Sequence, residues 1–111
     1  MGAFAAGQVV IVRFPFSDLT ASKVRPAIVL AGAGRGDWIL CQITSRPYGD
    51  HRALPLETTD FESGALRFTS YARPGKLFTA HASLVAGHVA DLRPAKLRNV
   101  RDAVVRLIEK G

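Results

Sequence analysis

The sequence predicts a mainly β domain in which an antiparallel sheet is followed by one C-terminal helix. Three observations carry this expectation. Short apolar runs rich in β-branched residues recur along the first 80 residues, as buried strands require. The spacers between them are too short to hold crossover helices, so neighbouring strands must run antiparallel. Beyond Leu97 the apolar period lengthens to three- and four-residue steps, which marks one face of a helix. With 111 residues the chain is expected to form one domain, 1–111, around one modest core.

Each element has its own warrant. Residues 8–14 contain Val9, Val10, Ile11 and Val12, a continuous run that needs apolar cover on both faces, by the core on one side and by a partner on the other. Residues 26–31 and 38–43 are two more such runs. The glycine-rich segment 31–36 between them reads as a hairpin connection. It is not a dinucleotide fingerprint, because a strand follows where that motif requires a helix. In residues 52–57, Arg52, Leu54 and Leu56 alternate, and Pro55 marks an edge strand or a bulge. Residues 66–71 and 76–80 are the last strand candidates. In the helix, Leu97, Val100, Val104, Leu107 and Ile108 form the buried face, and Pro94 suits the first turn. Arg93 is a poor cap, which leaves Asp91 for that role. Arg98, Arg101, Arg106 and Lys110 read as the solvated face.

Composition narrows the function classes. Apolar residues make up 48% and charged residues 22%, as in globular proteins. Fifteen Lys and Arg against nine Asp and Glu give +6, and eleven of the fifteen are Arg. Guanidinium grips carboxylates and phosphates in a two-pronged fork, so an acidic partner is favoured over a neutral one. The single cysteine, Cys41, excludes an internal disulfide and a cysteine-cluster metal site, and its apolar setting reads as a small buried hydrophobe. No stretch reaches the roughly 20 apolar residues that span a bilayer, and the N-terminus lacks signal-peptide features. A cytoplasmic protein is expected, with neither metal nor cofactor. His51, His81 and His88 form no ligand pattern, although a histidine acting as acid or base stays open.

Two connections are candidates for chemistry. The polar loop 16–24 is long for a compact domain, and such loops are disproportionately functional. It leads into Arg25-Pro26, where proline holds the preceding backbone extended. Arg25 therefore projects from a rigid strand start, either to grip a phosphate or to pair with Asp18. The second connection, Ile43-Thr-Ser-Arg-Pro-Tyr48, puts two hydroxyls, a guanidinium and an aromatic ring at the exit of a strand. That set suits single-stranded nucleic acid, whose bases are free to stack, and it also suits an ordinary turn.

Five segments taken together resemble the MazF/PemK toxins of bacterial type II toxin–antitoxin systems. They are Gly7-Gln-Val-Val-Ile-Val-Arg-Phe-Pro-Phe-Ser-Asp-Leu-Thr, Ser22-Lys-Val-Arg-Pro-Ala-Ile-Val-Leu30, Cys41-Gln-Ile-Thr-Ser, Ser70-Tyr-Ala-Arg-Pro-Gly-Lys-Leu77 and Arg93-Pro-Ala-Lys-Leu97. The resemblance implies an SH3-like antiparallel barrel with a C-terminal amphipathic helix, usually a homodimer. It implies a metal-independent, sequence-selective endoribonuclease that cleaves single-stranded mRNA through its 2′-hydroxyl, leaving a 2′,3′-cyclic phosphate. Arg25 and Thr44 would be the catalytic pair. Ser17, Asp18, Ser22, Lys23, Ser45, Arg46 and Tyr48 would flank the RNA. An acidic, partly disordered antitoxin would cover the same site. Two other readings compete. One is a non-catalytic SH3-like module that binds RNA or protein. The other is a CcdB-like gyrase poison, which acts through a tryptophan near the C-terminus, whereas Trp38 here lies in a strand.

Overall fold

A computed structural model describes residues 4–14 and 23–111. Seven strands form one antiparallel sheet: β1 (Gln8–Phe14), β2 (Lys23–Gly34), β3 (Asp37–Thr44), β4 (Leu54–Leu56), β5 (Phe61–Gly64), β6 (Ser70–His81) and β7 (Val85–Leu92). A single helix, α1 (Pro94–Lys110), follows. Strands lie in the order β4-β6-β3-β2-β1-β7-β5. The mainly β architecture with a C-terminal helix is the expected one. The hydrogen-bonded ladder does not close into a ring, since β4 and β5 end it on opposite sides. Both terminal strands are short, and β4 carries Pro55 at the edge position where a missing N–H is tolerated.

The central strands are buried on both faces, as the continuous run in β1 demands. Alternate residues enter two clusters. Val9, Ile28, Leu30, Cys41 and Ile43 point to the side that Val100 and Val104 of α1 cover. Val10, Val12, Val29 and Leu40 point to the other side, where Phe4, Trp38, Phe78, Leu84 and Val85 pack over them. Phe4 meets Trp38 edge-on, with ring centroids 6.3 Å apart. The second face is thus covered by the chain itself. Trp38 serves that cluster and lies far in sequence from the C-terminus.

The β2–β3 hairpin turns at Arg35-Gly36, both at positive φ (58° and 81°), the primed turn whose twist matches its strands. Residues 66–71 are not a strand. Residues 65–69 form an irregular connection, β6 begins at Ser70, and the 76–80 run is the second half of that strand. The Ser70 hydroxyl donates to the Phe68 carbonyl at 2.7 Å, which fixes the end of the connection. The apolar pattern does not announce β5 and β7. β7 is poor in β-branched residues, and its pairing with β1 is broken by two irregularities.

Three expectations for the helix are corrected. Asp91 is not its cap: its carboxylate accepts from Ser63 Oγ at 2.6 Å and pairs with His88 Nε2 at 3.0 Å. The cap position is Arg93, which makes no side-chain cap bond and instead donates from Nε to the Thr59 carbonyl at 3.0 Å. Ile108 is 72% exposed, so the buried face of the helix does not extend to it. Arg101 is not merely solvated either, since it donates from Nε and Nη2 to the Leu30 carbonyl at 3.3 and 2.7 Å. Among the described residues no helix is long and apolar enough to cross a membrane.

Candidate functional site

Antiparallel register brings the two central candidates together. Ile28 faces Cys41 and Ala27 faces Gln42 across β2 and β3. Carried two residues further, the same register sets Arg25 opposite Thr44. Arg25 is held on its other side by pairing with Val12 of β1, and Thr44 by pairing with Tyr71 of β6. Both therefore sit on strand ends fixed by neighbours, a better platform than a loop. They share one cleft of about 360 Å³.

Ile11, Pro26 and Ile43 give the cleft an apolar base, while Arg25, Arg67, Thr44 and Ser45 supply its polar groups. No carboxylate and no histidine is among its described lining residues. Two guanidinium groups thus meet without a compensating anion, which favours a negatively charged occupant. Among the described residues, the Arg25 side chain has no hydrogen-bond or ion-pair partner. The alternative pairing with Asp18 lies outside the described residues, as do Ser17 and Ser22. The backbone of Lys23 pairs with Phe14 at the start of β2.

Thr44 is oriented by its own turn. Its Oγ1 accepts from the Arg46 N–H at 3.1 Å and donates to the Arg46 carbonyl at 3.2 Å. To serve a ligand the hydroxyl proton exchanges the Arg46 carbonyl for that ligand, while a lone pair keeps the bond from the Arg46 N–H. Arg46 and Tyr48 leave the cleft along the following turn. Arg46 Nη1 reaches the Tyr48 hydroxyl at 3.5 Å, and Tyr48 is 82% exposed, lining a neighbouring groove. The structure therefore unites Arg25, Thr44 and Ser45 and sets Arg46 and Tyr48 beside them.

Two cleft residues escape a reading of the sequence. Arg67 and Phe68 sit on the 65–69 connection and form one wall of the cleft. Phe68 is 70% exposed, with the Arg67 guanidinium 6.0 Å from its ring centroid. Ser63-Gly64, a turn-forming pair, is the one cue that the chain breaks just before them.

His81, His88 and Cys41 are structural. His81 Nδ1 accepts from the Ser83 N–H at 3.1 Å, and His88 is held by Asp91. Cys41 is fully buried, its Sγ lies 3.2 Å from the Arg73 carbonyl, and burial pushes the thiol up to about 12. Such a thiol stays protonated and unreactive. Among the described residues no group of three or more His, Cys, Asp or Glu is placed to hold a metal ion.

Asp50 secures the turn that carries Tyr48. Its carboxylate accepts from Arg73 Nε at 2.7 Å and from the Arg52 N–H at 3.0 Å. The Arg73 hydrogen bond holds its pKa below the ordinary 3.8, and the Ser63 hydrogen bond does the same for Asp91. A depressed carboxylate stabilises the fold above its unfolded pKa and loses that contribution as pH falls through its folded value. Stability is therefore expected to drop as pH falls below about 4. Asp50→Asn should lower it by about 1 kcal/mol at neutral pH and flatten part of the acid limb. Urea unfolding followed from pH 7 to pH 2 measures both effects.

The fold and the cleft together define a small antiparallel β-sheet protein with a strand-mounted arginine and hydroxyl lining one cleft. Residues 5–108 match the family described as PemK-like, MazF-like toxin of type II toxin-antitoxin system, and the chain belongs to that family. Solved structures agree in fold. The MazE-MazF complex (Form-III) from Deinococcus radiodurans superposes with a TM-score of 0.76 at 21% identity, covering 97% of this chain and 98% of that one. An endoribonuclease in complex with its cognate antitoxin, from a Mycobacterial species, gives 0.75 at 13% identity and 98% of both chains. The Mycobacterium tuberculosis toxin MazF-mt6 gives 0.70 at 13% identity, with 92% and 96% covered. Among curated proteins none matches the sequence.

Proposed function

We propose that this toxin-family protein is a sequence-selective endoribonuclease that cleaves single-stranded mRNA at the Arg25–Thr44 cleft without a metal. The observation that carries this reading is the meeting of Arg25 and Thr44 in a cleft whose described lining has two guanidiniums and no carboxylate. The substrate's own 2′-hydroxyl is the nucleophile, so no metal-activated water is needed. Its oxygen gives up its proton and bonds to the adjacent phosphorus, while the bond from phosphorus to the 5′-oxygen breaks and that oxygen takes up a proton. The products are a 2′,3′-cyclic phosphate and a 5′-hydroxyl.

Arg25 acts on the charge that accumulates on the non-bridging oxygens during this exchange, which a fixed guanidinium stabilises most strongly in a partly apolar site. Thr44 donates a hydrogen bond from its hydroxyl to one of those oxygens and holds the phosphate in line. Ser45 and Arg46 contact the RNA backbone, and by the family resemblance Ser17, Asp18, Ser22 and Lys23 take part in flanking it. Phe68 and Tyr48 supply faces on which unpaired bases stack. The reading includes a homodimer, because one cleft is short for several nucleotides. It also includes an acidic, partly disordered antitoxin that folds across Arg25 and Arg67.

Incubation with a long single-stranded RNA in EDTA tests the proposal. Cleavage by the wild type that Arg25→Ala abolishes supports it, and RNA left intact by the wild type refutes it. Phe68→Ala is expected to weaken binding of a non-cleavable RNA by about 5- to 100-fold, the effect of losing one stacked base. Fluorescence anisotropy measures this, and unchanged affinity would remove Phe68 from the site.

A further inference from the structure

A second basic cavity lies between β4 and the end of α1. Its volume is about 540 Å³, larger than the Arg25 cleft, with which it shares no lining residue. Arg52, Arg106 and Lys110 converge on it together with His51, and no carboxylate is among its described lining residues. Among the described residues none of those three cationic side chains has a hydrogen bond or ion pair. Most surface cations spread out or find a carboxylate. Three unpaired ones around a concavity leave a local positive potential that an anion would neutralise.

The chain between the two cavities shows which anion fits. Thr44 and Ser45 line the Arg25 cleft, 48–52 line the next groove with Lys76, and His51 and Arg52 line the distal cavity. A single segment, 44–52, thus runs past all three concavities in order. The one carboxylate along it, Asp50, is engaged by Arg73 at 2.7 Å and does not oppose the positive potential. Tyr48 offers an exposed ring midway. Repeated cations with an aromatic ring between them match a single-stranded polynucleotide, with phosphates at regular intervals and bases free to stack. An acidic peptide would use the cations but has no comparable use for the ring.

We propose that the Arg52–Arg106–Lys110 cavity is a distal subsite for the RNA backbone. It would hold phosphates several nucleotides from the scissile bond and make long transcripts better ligands than short ones. This rests on the ribonuclease reading above. The test compares the wild type with an Arg52→Gln, Arg106→Gln, Lys110→Gln variant, all three changes being on exposed side chains. The probes are 2′-O-methyl RNAs of about 6 and about 20 nucleotides, the shorter spanning only one site.

For the longer probe the variant should bind about tenfold more weakly near 0.1 M salt. Its log–log salt slope should be shallower by about 2, since each phosphate of a single strand left without its cation removes about 0.7. The shorter probe should keep its affinity. Equal binding of the longer probe, or the same loss for both probes, overturns the subsite. So does a loss confined to a polyglutamate peptide, which would make the cavity a protein site. A wild type that binds neither RNA fails the ribonuclease reading itself, whereas a wild type that binds both with an unaffected variant overturns the distal subsite alone.

Discussion

Arg25→Ala is expected to reduce RNA cleavage by about 10²–10³-fold, the loss that follows removal of one fixed donor aimed at transition-state charge. The fold should survive the change. The Arg25 side chain makes no hydrogen bond or ion pair among the described residues, so unfolding free energy should move by no more than about 0.5 kcal/mol. That separation makes the experiment informative, because inactivity cannot then be attributed to unfolding. Arg25→Lys sharpens it. An ammonium restores the charge but not the planar two-pronged fork, so it should recover only a small part of the activity. Full recovery by lysine would mean that charge alone matters and that the strand-fixed geometry of Arg25 is incidental. Single-turnover cleavage at saturating enzyme reads the chemical step without a contribution from binding.

The largest effect on stability is expected at Gly64. This residue ends β5 at φ +73°, and a Cβ there would press on the Val89 carbonyl oxygen and on Ala90 of β7. Two penalties combine. An alanine in the left-handed region is strained, and its methyl has backbone rather than a flexible side chain to displace. Gly64→Ala should therefore destabilise the protein by about 2–4 kcal/mol, or roughly 10–20 °C in Tm for a chain of this size. Gly49→Ala is the control. Its φ is +77° with nothing within 4 Å of the added carbon, so only the strain, about 1 kcal/mol, should appear. Gly64 also precedes the connection that carries Arg67 and Phe68. Its substitution should weaken RNA binding in the folded fraction, whereas the Gly49 change should not alter the wall of the Arg25 cleft. Equal destabilisation by the two substitutions would show that β5 and β7 pack less closely than the Gly64 geometry requires.

How much of the fold and the site is legible in the sequence depends on whether the information is local. The run Val9 to Val12 demands a doubly buried strand because nothing but a covered sheet tolerates it. Pro55 marks an edge because its missing N–H leaves few alternatives. The Arg25–Thr44 pair is reached through the family resemblance, while the physical reason for it, a shared register of β2 and β3, needs the pairing to be known. Residues 66–71 alternate like a strand, and only the fold shows that Arg67 and Phe68 turn out to wall the cleft. Asp91 precedes the helix as a cap would, yet Ser63 and His88, distant or off-helix partners, take its oxygens. Ile108 keeps the helical period, yet the fold leaves it 72% exposed. The distal basic cavity joins residues more than 50 positions apart in sequence, which no local pattern could announce.

The most direct test of the central claim is the chemistry of the cut ends. Wild-type protein should be incubated with single-stranded RNA in EDTA, and the fragments analysed by mass spectrometry. Attack by the substrate's own 2′-hydroxyl predicts upstream fragments ending in a 2′,3′-cyclic phosphate and downstream fragments beginning with a 5′-hydroxyl. Fragments with 3′-hydroxyl and 5′-phosphate ends, or RNA left whole, would contradict it.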